Sequence, residues 1–128
     1  GEAVLTGGDA TSIVSQAKIT REQVRAKNKE SLQEIIDNKQ LTGEQKKKAV
    51  NEMVELTKIA EKEAAAETML SAKGFTDSVV SLSEESADVV VNAKELSEAN
   101  RAQIEDIVIR KTGMAAENIV ITPAGSKK

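Results

Sequence analysis

The spacing of hydrophobic positions changes along the chain, and each change marks an element. Residues 1–19 show no sustained period. Thr6-Gly7-Gly8-Asp9 interrupts any pattern and Ser and Thr follow, so this stretch reads as a flexible linker. Thr20-Arg21-Glu22-Gln23 then has the form of a capping box, the Thr hydroxyl accepting from the Gln23 amide and the Gln side chain reaching back. The helix it opens is predicted to run to about residue 38. Its apolar positions Val24, Leu32, Ile35 and Ile36 recur at helical spacing with Asn28 between them. A stripe this narrow suits a helix lying on one neighbour.

A turn over residues 38–42 leads to a second capping box, Thr42-Gly43-Glu44-Gln45. It opens a long helix predicted to reach about Lys73, with Gly74 ending it. Ala49, Met53, Leu56, Ala60 and Ala64 share one face, while Ile59, Ala66 and Leu70 share another. Two apolar faces imply two packing partners: the preceding helix for the first half and a sheet for the second. From residue 76 the period changes. Residues 76–83 alternate loosely and are rich in Val and Ser, Ser83-Glu84-Glu85-Ser86 is a polar turn, and residues 87–93 form a β-branched run. Such a pair reads as an antiparallel hairpin. Ser97 caps a further helix with Ile104, Ile107, Val108 and Lys111 along its inner side and Gly113 at its end. Residues 117–122 form a last strand that Pro123 stops, and residues 124–128 are a flexible tail. Strand, helix, strand in one sheet calls for a crossover connection. The fold class is therefore α+β: a three-stranded sheet covered by two helices on one face, preceded by an extra helix.

Composition narrows what such a domain can do. The chain has 128 residues, enough for one domain with an appendage. Cys, His, Tyr and Trp are absent and Phe75 is the only aromatic residue. The commonest general base and metal ligand is thus missing, as are the aromatic anchors of many interfaces. The net charge of −3 is well mixed, and the one basic run, Lys46-Lys47-Lys48, sits between Glu44 and Glu52. That argues against a nucleic-acid stripe. No stretch has the length and apolarity of a membrane span, and the start at Gly1 fits a fragment from which an upstream segment was removed.

Candidate chemistry is thin. Ser15-Gln16-Ala17-Lys18 and Lys111-Thr112-Gly113 match serine-enzyme motifs. The Ser-Asp-Asn partner motif is missing, the chain is too short for that fold, and short motifs arise by chance. Glu84-Glu85 lacks further oxygen ligands and reads as a solvated turn. Met53, Met69 and Met114 read as core fillers. No cofactor is expected. What remains is surface. A three-stranded sheet has two edges whose unpaired backbone groups can take an added strand, although Asp77 and Lys94 stand at strand ends where edge guards are common. Residues 77–83, carrying Ser78, Ser81 and Ser83, form the less apolar strand of the hairpin and are the first candidate edge; the Val-rich residues 87–93 are the inner strand. Asp77, Ser78, Val79, Ser81 and Ser83 are therefore candidate partner contacts, with Val24 and Asn28 on the narrow-striped helix as a second set.

Two resemblances sharpen this. The order helix, strand, strand, helix, strand, with Gly74-Phe75-Thr76-Asp77-Ser78-Val79-Val80 opening the hairpin and Glu117-Asn118-Ile119-Val120-Ile121-Thr122 after Gly113, resembles the ring-building motif of type III secretion and flagellar ring proteins. Residues 12–123 resemble, more closely, the stage III sporulation AH family of endospore formers. The ring-building unit would then span residues 20–123, with residues 20–38 as its helical extension. That resemblance implies a non-catalytic domain in the space between mother cell and forespore, tethered to the mother-cell membrane by an upstream transmembrane helix. It implies the LytM-like ectodomain of stage II sporulation protein Q as partner, together with other stage III channel proteins and a homo-oligomeric ring at the membrane. It supplies no catalytic residues. The rival expectations are a ring former that needs no heterologous partner and a peptidoglycan-binding envelope module.

Overall fold

The computed structural model describes residues 9–124. Residues 1–8 of the expected linker and 125–128 of the expected tail lie outside them. The elements, in chain order, are helices α1 (Asp9–Asp37) and α2 (Gly43–Ala72), strands β1 (Val79–Leu82) and β2 (Ala87–Val91), helix α3 (Glu98–Thr112), one 3-10 turn (Ala116–Asn118) and strand β3 (Ile119–Pro123).

The caps are where the side chains put them. Thr42 Oγ1 accepts from the Gln45 amide at 3.1 Å and Gln45 Oε1 accepts from the Thr42 amide at 3.0 Å, so two otherwise orphaned donors are satisfied together. At the far end of α2, Gly74 takes φ 99° and the Phe75 amide returns to the Leu70 carbonyl at 2.8 Å. That left-handed residue lets the chain fold back, and Phe75 packs against the core that holds Leu70. Ser97 caps α3 through the Asn100 amide at 3.0 Å. Gly113, at φ 81°, closes α3.

Helix α1 departs from the sequence reading. It begins at Asp9, and residues 9–19 are helix, not linker. Thr20 sits inside it and caps nothing; its hydroxyl accepts from Gln16 Nε2 at 3.4 Å. Over residues 12–37 of α1, those buried or half-buried are Val14, Ala17, Lys18, Arg21, Arg25, Leu32, Ile35 and Ile36. The spacing is that of one continuous helical stripe, but its middle is cationic. A purely hydrophobic reading breaks there. The facing stripe on α2 is similar. It runs from Ala49 through Met53, Leu56 and Ala60 to Glu63 and Glu67, whereas the expected Ala64 is exposed.

The strands form a mixed sheet in the order β1-β2-β3. β1 and β2 are antiparallel, with Val80 opposite Val89; β2 and β3 are parallel, with Val89 beside Ile121. The hairpin turn is closed by the Ser83 amide on the Ser86 carbonyl at 2.9 Å. Val80, Ala87, Val89 and Val91 join Ala66 and Leu70 of α2 and Ile104, Ile107 and Val108 of α3 in the main core. Lys111, expected on the inner side of α3, is exposed; the neighbouring Thr112 is buried and donates to the Val108 carbonyl at 2.6 Å. The opposite face of the sheet is not bare. α1 reaches β1 and β2, and Val14 and Val79 are both buried outside the main cluster.

Candidate partner-binding surface

Which backbone groups of the sheet remain open follows from its hydrogen-bond parity. In β1 the ladder bond of Ser83 means that residues 79, 81 and 83 point their amides and carbonyls at β2, while Val80 and Leu82 point outward. Three of those four outward groups are already engaged. The Val80 amide donates to Glu67 Oε2 and the Leu82 amide to Glu63 Oε2, each at 2.8 Å. The Val80 carbonyl accepts from Arg21 Nη1 at 2.7 Å.

The same side chains hold one another. Arg21 Nη1 donates to Glu67 Oε2 at 2.8 Å, and Arg25 forks onto both oxygens of Glu63 at 2.7 and 3.1 Å. Glu63 is 1% exposed. A carboxylate this deeply buried is tolerable because an opposite charge and a backbone donor both meet it. Burial alone would push the Arg21 guanidinium pKa down; the hydrogen bond and charge of Glu67, with the charge of Glu63, more than offset this and raise it above the ordinary value. Arg25 is raised chiefly by its hydrogen bond to Glu63, against its own burial. Both arginines therefore stay charged at any physiological pH.

These findings redistribute the candidate contacts. Val79 is 1% and Ser78 4% exposed, so neither presents a side chain to a partner in the folded chain. Asp77 is exposed with φ 56°, and its carboxylate accepts from Asn92 at 3.4 Å. Ser81, Ser83, Val24 and Asn28 come together: all four line a groove of about 1080 Å3 between α1, α2 and the hairpin turn. Half-buried Leu32, Leu56, Ile59 and Leu82 line it too, with the more exposed Ile13 and Val24. Addition of a strand to β1, as the sequence suggested, is opposed by this arrangement, because both outward amides and the Val80 carbonyl have partners within the chain. Sequence reasoning missed Arg21, Arg25, Glu63 and Glu67. Their helical spacing was the available signal, obscured because charged residues are read as solvent-facing.

The other edge is different. The Ala124 amide donates to the Val91 carbonyl at 2.8 Å, so residues 120, 122 and 124 face β2 and Ile119, Ile121 and Pro123 face outward. Pro123 has no donor, the Ile119 amide returns to the Ala116 carbonyl, and Arg101 donates to the Ile121 carbonyl at 3.3 Å. Among the described residues no group of His, Cys, Asp or Glu is arranged to hold a metal ion, and no helix is long and apolar enough to cross a membrane.

The sequence profile of SpoIIIAH-like proteins matches residues 3–121. The chain belongs to the SpoIIIAH-like protein family. Stage III sporulation protein AH of Bacillus subtilis (strain 168) is 23% identical over 94 residues, which are 73% of this chain and 43% of that protein. The chain thus spans less than half the length of this relative. A chain of the solved SpoIIQ-SpoIIIAH pore-forming complex superposes with a TM-score of 0.78 at 22% identity, over 89% of this SpoIIIAH-like chain and 98% of its own length. That likeness is one of fold, including the leading helix.

Proposed function

We propose that this SpoIIIAH-like domain is a non-catalytic structural component of a sporulation channel between mother cell and forespore. It binds the ectodomain of SpoIIQ across the intermembrane space and is tethered on the mother-cell side by a transmembrane segment upstream of residue 1. The observation that carries this reading is the match of nearly the whole fold to a chain of a pore-forming complex made with SpoIIQ. Family membership supports it. The chemistry of the chain is in keeping with it: the most deeply buried charges are taken up in joining α1 to α2 and β1.

The test is gel filtration with light scattering of this chain mixed with the SpoIIQ ectodomain. A stable heterodimer formed from separate monomers is expected. Two unshifted peaks at tens of micromolar would overturn the reading.

A further inference from the structure

We infer that the groove between α1, α2 and the β1–β2 turn is where the heterologous protein docks, and that its docking segment carries apolar anchors flanked by Lys or Arg. This rests on the reading above and adds to it the place and chemistry of contact.

The first argument is elimination at the neighbouring edge. Glu63, Glu67 and Arg21 engage both outward amides of β1 and the Val80 carbonyl, so no outward donor of that strand is left for an added strand and affinity beside the hairpin comes chiefly from side chains. The groove is the concave surface next to that sealed edge, and at about 1080 Å3 it has room for several side chains. Its mouth carries Val24 at 54% and Ile13 at 50% exposure, apolar surface that gains by being covered.

The second argument is charge. Arg21 and Arg25 line the groove, but Glu67 and Glu63 behind them already meet their charges. Among the described residues the acidic lining residues Glu52, Glu55 and Glu84 have no such buried counterparts. Glu55 meets only Lys58, at 3.8 Å with both side chains more than half exposed, a pairing of little strength. The groove therefore presents apolar surface within a negative field, and a cationic flank on the incoming segment is attracted to it. That the structural neighbour comes from a complex of two different proteins favours a heterologous occupant over a second copy.

The experiment is calorimetric titration of the SpoIIQ ectodomain into this chain and three variants, each checked first for an unchanged thermal melt. Val24→Asp changes an exposed side chain in the groove and is expected to weaken binding by at least about tenfold. Glu52→Lys/Glu55→Lys/Glu84→Lys is expected to weaken it by a similar factor and to abolish the fall of affinity with added salt that is expected for the unaltered chain. Val50→Asp, at an exposed apolar position of α2 outside the groove, should bind as the unaltered chain does. Groove variants that bind like the unaltered chain would overturn the inference and leave the SpoIIQ pairing standing. So would a groove substitution that removes self-association but leaves SpoIIQ binding intact, which would assign the groove to a second copy. If the unaltered chain does not bind SpoIIQ, the proposed function fails and the inference falls with it.

Discussion

At the β1 edge of the sheet, two carboxylates and a guanidinium take up the outward amides of Val80 and Leu82 and the Val80 carbonyl. At the β3 edge the outward groups are managed by smaller means: a proline without a donor, a 3-10 turn that takes the Ile119 amide, and an exposed Arg101 on the Ile121 carbonyl. Both arrangements discourage unwanted strand pairing, which an open edge invites. They differ in what they bind together. The β1 seal joins α1, α2 and the hairpin through bonds spanning as many as 59 residues, from Arg21 to Val80. The β3 guards join only α3 and the turn to the strand beside them. An edge can thus be closed by the tertiary structure itself or by local residue choice, and only the first makes the closure part of stability.

The sharpest way to break that contrast is Glu63→Ala. It would leave the Arg25 guanidinium and the Leu82 amide buried with an acceptor lost, and is expected to cost about 3–5 kcal/mol. A urea unfolding midpoint close to that of the unaltered chain would show that water replaces the carboxylate freely. Val79→Pro comes next. The Val79 amide points into the β1–β2 ladder, so proline there removes a bond inside the sheet and is expected to destabilise by roughly 3 kcal/mol. A melt unchanged by that substitution would mean that the strand pairing is misassigned.

Hydrogen exchange compares the two edges directly. The Val80 and Leu82 amides should exchange at rates typical of ladder amides, at least about tenfold slower than the outward Ile121 amide. Equal rates would dissolve the distinction between a sealed and a guarded edge. The smallest effect is expected for Arg101→Ala, within about 0.5 kcal/mol, because exposed contacts contribute little. A larger loss would show that β3 relies on its guard as β1 relies on its seal. Acidity or mild alkalinity gives the arginines no new role. Their folded values lie above the ordinary one, so their contribution is complete below it and is lost only as pH rises through the raised value.

Much of this fold could be read from local chemistry. The Thr42–Gln45 box, the Ser97 cap and the glycines at 74 and 113 mark helix ends through bonds spanning a few residues. The β-branched runs around a Ser-Glu-Glu-Ser turn gave the hairpin, and the Val-rich run proved to be its central strand. Candidate contacts were less legible. Val24, Asn28, Ser81 and Ser83 share a groove whose existence no spacing announces, whereas Ser78 and Val79 are buried. The start of α1 was missed for a related reason. Thr20-Arg21-Glu22-Gln23 satisfies the pattern of a cap, and a pattern alone cannot show that the chain before it is already helical.

The sequence by itself thus determined the order of the helices and strands from the second helix onward, the strand that lies at the centre of the sheet, and the absence of His and Cys chemistry, though not the 3-10 turn where the last strand was expected to begin. Only the tertiary structure decided that α1 extends back to Asp9, that β1 is a closed edge, and that four charged residues belong inside. The reason is physical. Caps and periods are short-range properties carried by neighbouring residues. Whether Arg25 faces water or a buried carboxylate depends on Glu63, 38 positions away, and that proximity exists only once the chain has folded.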